Sequence, residues 1–149
     1  MAGQTIKAAE FKRYIMSGGI KNRHLDRLFN IKTQHVPDLQ GVMPPVKNIL
    51  DDAVGYAPTK VEILKYFIHK VNPQPTDTLY DIGCGKGLVC FTLAPFVEEV
   101  KGTDHNQKMI NVSSDNLFSY YKGSYGEFAH KIHFYLSDIY QNMDMSDGT

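Results

Sequence analysis

The chemistry in this chain is concentrated in Asp81-Ile82-Gly83-Cys84-Gly85-Lys86-Gly87, where three alternate glycines follow a short apolar run. Glycines between a strand and a helix let backbone approach a ligand that any Cβ would exclude. The spacing narrows the ligand. A Walker phosphate loop needs Gly-x-x-x-x-Gly-Lys-Ser/Thr, but Lys86 is followed by Gly87 and lacks the metal-binding hydroxyl. The dinucleotide pattern Gly-x-Gly-x-x-Gly would place its third glycine at position 88, which is Leu88, so NAD is the second reading of the loop. Cys84 reads as a small filler because no histidine base is indicated beside it. His130 and His133 enter a strand from which their rings need not converge, so no metal is assigned.

The elements that position this loop follow from periodicity. Residues 5 to 17 are moderately amphipathic and end at Gly18-Gly19, which predicts a helix; residues 22 to 29 predict a second through Leu25, Leu28 and Phe29. Residues 30 to 54 carry Pro37, Pro44 and Pro45 without periodicity and read as a linker. Thr59-Lys60-Val61-Glu62 matches a capping box and predicts a helix starting at Lys60. Its stripe is Val61, Leu64, Phe67, Ile68 and Val71, and Asn72-Pro73 stops it.

A short, buried strand is expected over 78 to 82, then a helix over 88 to 93 that Pro95 bends or ends, then a strand over 100 to 104. Asn106 is an N-cap for a helix bearing Met109, Ile110, Leu117, Tyr120 and Tyr121, closing around Gly123. Ile132, Phe134 and Leu136 alternate with His133, Tyr135 and Ser137 in a third strand. The order implies an α/β fold: a partial Rossmann-like parallel sheet of three strands with flanking helices, plus a helical N-terminal appendage. The expected division is 1 to 54 for the basic appendage and linker, and 55 to 149 for the half-domain.

Gly-x-Gly-x-Gly preceded two residues earlier by an aspartate resembles motif I of the class I S-adenosylmethionine-dependent methyltransferases. The resemblance implies that Asp81 helps hold the amino-acid end of the cofactor while Gly83, Gly85 and Gly87 give it room. Asp104 is placed to accept hydrogen bonds from both ribose hydroxyls, and His105 to pack against adenine. Asp138, followed by Ile139 at the end of the third strand, matches the position that meets the adenine amino group. Tyr56-Ala57-Pro58-Thr59 looks like the Tyr-x-Pro-Thr element of histone-lysine methyltransferases lacking a SET domain, which makes Tyr56 and Thr59 part of the cofactor site. The resemblance spans residues 52 to 140.

The family has seven strands, and its fourth strand carries much of the reacting chemistry. Only residues 139 to 149 follow the third strand here, so the expectation is a truncated form, active if the acceptor-side half is supplied, and no catalytic base is nominated. The first strand would be left with an open edge for a protein partner to cover. The competing reading is a noncatalytic module that binds another methyltransferase or an acidic polymer. The methyl acceptor stays open between protein lysine, a small molecule and nucleic acid.

Composition supports a folded domain: 42% of the 149 residues are hydrophobic. No apolar run approaches the roughly 20 residues of a membrane helix, and no apolar leader opens the chain, so an intracellular, cytoplasmic or nuclear protein without a membrane partner is expected. The net charge of zero hides an asymmetry. Lys7, Lys12, Arg13, Lys21, Arg23, Arg27, Lys32 and Lys47 face only Glu10, Asp26 and Asp38 in the first fifty residues, a balance that suits nucleic acid or simple solvated helix faces.

Overall fold

The computed structural model describes residues 5 to 34 and 57 to 137. Helix α1 spans Ile6–Met16 and α2 spans Asn22–Phe29. Thr5 caps α1 by accepting the Ala8 N–H, and Asn30 ends α2 in the left-handed conformation that asparagine tolerates. Helix α3 spans Val61–Tyr66 and runs into a wider π turn over Phe67–Val71, which Asn72 ends. Strand β1 is Thr78–Ile82, α4 is Leu88–Leu93, β2 is Glu99–Asp104, α5 is Gln107–Lys122 and β3 is Ile132–Leu136. Pro95 turns the end of α4 into a short 3-10 segment, Ala94–Phe96.

The three strands are parallel in the order β1-β2-β3, so β2 is central and its Asp104 ends the strand with only 8% exposure. This is the expected partial Rossmann-like sheet. Three local expectations need correction. The capping box does not form: Lys60, not Thr59, flanks α3, and the Val61 N–H is taken at 2.8 Å by Asn22 Oδ1, whose amide also donates to the Thr59 carbonyl at 2.8 Å. A side chain 39 residues away thus replaces the local hydroxyl as acceptor. β1 is half-buried rather than buried, because one of its edges carries no strand among the described residues. Val71, expected on the apolar stripe of α3 and its continuation, is exposed.

The core is continuous from the N-terminal helices to the sheet. Phe11 and Phe29 lie 5.2 Å apart by ring centroids, Phe29 meets Tyr120 at 5.6 Å, Tyr120 meets Phe91 at 4.8 Å, and Phe91 meets Phe134 of β3 at 5.6 Å. Tyr120 satisfies its hydroxyl on the Phe91 carbonyl, the arrangement a buried tyrosine requires. The ring series makes α1 and α2 part of the packing behind the glycine loop. The proposed boundary between residues 54 and 55 lies outside the described residues, as do Tyr56, Asp138 and Ile139. Among the described residues no helix is long and apolar enough to cross a membrane.

Candidate functional site

The loop that joins β1 to α4 is pinned from several sides. The Thr103 carbonyl on β2 accepts both the Gly83 N–H at 2.7 Å and the Cys84 N–H at 2.8 Å. Gly85 N–H donates to Asp104 Oδ2 at 2.9 Å, and Asn106 N–H donates to Asp104 Oδ1 at 2.9 Å. Asp104 therefore braces the glycine loop and the start of α5 at once. Each of its oxygens retains acceptor capacity, since an ionised carboxylate offers about four lone-pair positions. Asn106 then caps α5 by accepting the Lys108 and Met109 N–H groups.

Gly83, Gly85 and Gly87 all have positive φ, at 80°, 56° and 99°. Their roles differ. A Cβ on Gly83 would meet nothing within 4 Å, so its surroundings are open; a Cβ on Gly87 would lie 2.7 Å from the Phe91 ring and 3.0 Å from Phe134. The first glycine leaves a cradle, and the last permits helix and sheet to pack.

Asp81 lies on the same side as α4, and Cys90 Sγ donates to its Oδ2 at 3.6 Å. Burial pushes its carboxyl up to about 6; the Cys90 hydrogen bond opposes this, and the negative charge of Asp104 adds to it. No lysine or arginine among the described residues pairs with either carboxylate. A half-buried and a buried acid of like charge beside an open backbone loop suit a ligand with a cationic group and hydroxyls. A sulfonium, an ammonium and a ribose diol answer that donor set, whereas a pyrophosphate would add to the repulsion.

The acid sets a pH dependence. A folded-state value above the unfolded 3.8 means that the folded chain holds the extra proton between about pH 4 and 6, so this group's contribution to stability is lost as the pH rises through that window. A bound cation favours the ionised form and reverses the sign. We expect S-adenosylhomocysteine to raise the melting temperature more at pH 7.5 than at pH 5.5, with affinity climbing up to about tenfold per pH unit below pH 6. Asp81→Asn is expected to flatten that profile in a calorimetric pH series; an unchanged slope would remove Asp81 from ligand binding.

The remaining candidate residues fall as follows. His105 stands at the mouth of the loop, half-exposed, with Nδ1 at 3.7 Å from Asp104 Oδ1. Thr59 precedes α3, tied to α2 through Asn22. Cys84 is buried, and that burial, reinforced by Asp81 and Asp104, pushes its thiol far above the usual range, which removes the thiolate a nucleophile needs. His133 Nε2 sits 3.0 Å from Glu99 Oε2 across β2 and β3, while His130 is exposed on the preceding 3-10 turn.

Sequence reasoning missed three contributors. Cys90 as the partner of Asp81 carries no local signal. Lys86 is 1% exposed and turned inward, where its charge acts on the Asp26 carboxylate of α2. Asn116 stands at a core position of α5, and its signal was legible: it continues the 109, 113, 116, 120 spacing of the buried face.

The relatives of this chain are methyltransferases. It is 34% identical over 61 residues to an rRNA adenine N-6-methyltransferase of Escherichia coli, which covers 41% of this chain and 25% of that protein. It is 39% identical over 46 residues to a probable cobalt-precorrin-6B C(15)-methyltransferase (decarboxylating) of Archaeoglobus fulgidus, covering 31% of this chain and 28% of that one. The matched segments thus span about a quarter of the length of these curated relatives. No family model matches the chain. Among solved structures, a putative RNA methyltransferase from Pyrococcus horikoshii aligns over 83% of this chain and 54% of its own, with a TM-score of 0.49 and 17% identity.

Proposed function

We propose that this chain binds S-adenosylmethionine at the C-terminal ends of its parallel strands and serves as the cofactor-holding part of a methyltransferase. The observation that carries the reading is the pair of Asp81 and Asp104 behind the open side of Gly83, with no lysine or arginine pairing with them among the described residues. Methyltransferase relatives point the same way.

When bound, the cofactor supplies a methyl group activated by its sulfonium. The residues of this chain bind and orient it. Asp81 takes the ammonium of the amino-acid end, Gly83, Gly85 and Gly87 let the backbone come close, and Asp104 meets the ribose diol with its remaining acceptor capacity. On the family resemblance, His105, Asp138 and Ile139 would be the adenine-side residues, and Tyr56 and Thr59 would belong to the cofactor site. Holding the reacting carbon in a fixed line is the main service a protein gives this displacement.

We assign a nucleic-acid base as the acceptor class. The Escherichia coli relative is named for rRNA adenine, and the first fifty residues of this chain carry five more basic than acidic side chains. The edge of β1 that carries no strand among the described residues takes a further strand or a protein partner, which brings the acceptor-side groups.

Isothermal titration of the full chain tests the cofactor. We expect micromolar S-adenosylhomocysteine binding and NAD binding at least about 100-fold weaker, since the diphosphate would face both carboxylates. Equal competition by NAD would favour the dinucleotide reading. A folded sample that binds neither would leave a noncatalytic module.

A further inference from the structure

The glycine loop is gripped from a second direction by a side chain that hydrogen-bonds to neither Asp81 nor Asp104. Asn116, on the buried side of α5 and 5% exposed, spends its whole amide on backbone. Its Oδ1 accepts the Lys32 N–H at 3.0 Å, and its Nδ2 donates to the Lys32 carbonyl at 3.1 Å and to the Lys86 carbonyl at 3.0 Å. Lys32 belongs to the stretch that leaves α2; Lys86 is the residue between Gly85 and Gly87. One side chain therefore joins the N-terminal helices, α5 and the loop.

The stretch after α2 is itself well anchored. Asp26 accepts the Thr33 N–H at 2.7 Å, the Thr33 hydroxyl at 2.5 Å and the Gln34 N–H at 3.2 Å. Asn30 donates to the Ser119 carbonyl one turn further along α5, at 2.9 Å. Gly85 N–H is held by Asp104, Lys86 C=O by Asn116 and Gly87 N–H by the Cys84 carbonyl at 3.0 Å. Three consecutive residues of the loop are fixed in this way. Glycines lose more conformational freedom on ordering than other residues, so a loop built from them binds tightly only when something else holds its shape.

We infer that Asn116 is a positioning residue for the cofactor loop, through which the segment after α2 controls how well Gly85 to Gly87 are preorganised for ligand. This rests on the cofactor reading for its affinity consequence, but the restraint on the loop exists without ligand. Asn116→Asp tests it with almost no change of shape: both donors are lost, and a carboxylate oxygen faces the Lys32 and Lys86 carbonyls. Asn30→Gly is the control, because it keeps the left-handed backbone and removes the Ser119 link of the same segment while leaving Lys86 untouched.

The measurements are S-adenosylhomocysteine affinity by calorimetry and amide hydrogen exchange at Gly85 and Gly87 by NMR in the ligand-free full chain. The expected result is affinity at least tenfold weaker in Asn116→Asp, within twofold of wild type in Asn30→Gly, and faster exchange at the two glycines only in the former. Equal losses in both variants, or unchanged loop exchange in Asn116→Asp, would overturn the inference. Should Asn116→Asp fail to fold, Asn116→Ala gives the same comparison, with water from the adjoining cleft of about 490 Å³ able to reach the freed groups. If the wild type binds no S-adenosylhomocysteine, the cofactor reading falls, and the exchange rates alone decide the role of Asn116.

Discussion

Asp104→Ala abolishes cofactor binding in the expected outcome, with S-adenosylhomocysteine affinity falling by at least about 100-fold in calorimetry. The carboxylate does two jobs inside the protein before any ligand arrives, because Gly85 N–H and Asn106 N–H each end on one of its oxygens. Hydrogen bonds to a charged group contribute about 1.5 to 3 kcal/mol each, and the alanine leaves both donors without their acceptor. The link between the loop and the start of α5 is then lost, and on the proposed function so is the acceptor for the ribose diol. Asp104→Asn sharpens the test, since the amide keeps the volume but turns an NH₂ toward one of the two N–H groups. We expect it to bind almost as poorly as the alanine variant. Affinity within threefold of wild type in either variant would show that the end of β2 has no part in binding.

The second large effect separates two glycines of one motif. Gly87→Ala is expected to lower stability by about 2 to 5 kcal/mol, because it combines a φ of 99° with a methyl 2.7 Å from the Phe91 ring and 3.0 Å from Phe134. For a chain of this size the melting temperature should fall by roughly 10 °C. Gly83→Ala has open space around its Cβ, so it bears only the backbone strain, about 1 to 2 kcal/mol. Its methyl would stand in the cradle, and binding should weaken at least tenfold in a sample that remains folded. Thermal unfolding and titration of the two variants side by side check the assignment. If Gly83→Ala binds normally while melting lower, the open side of the loop is not where the ligand sits.

Much of the frame was readable because it depends on short-range rules. The Asn106 cap of α5 and the glycines that interrupt the chain between β1 and α4 are local signals, and each appears at the expected place. The failures were also local rules, overruled by distance. Thr59 and Glu62 have the right spacing for a cap, yet Asn22 arrives from α2 and takes the Val61 N–H instead. Strand β1 has the composition of a buried strand, yet burial depends on whether another strand lies along its open edge, and residues 78 to 82 carry no record of that.

From sequence alone came the glycine loop between a strand and a helix and the acids near the ends of successive strands, because permitted backbone conformation and charge belong to individual residues. Tertiary structure decided how those acids are used. It brought Asp104 against Gly85 and Asn106, set Asp81 between Cys90 and a second negative charge, turned Lys86 inward beside Asp26, and gave Asn116 two distant segments to hold. Hydrogen bonds between residues 30 and 84 positions apart exist only once helices and strands have packed, and a buried amide is satisfied by whatever backbone the fold carries past it.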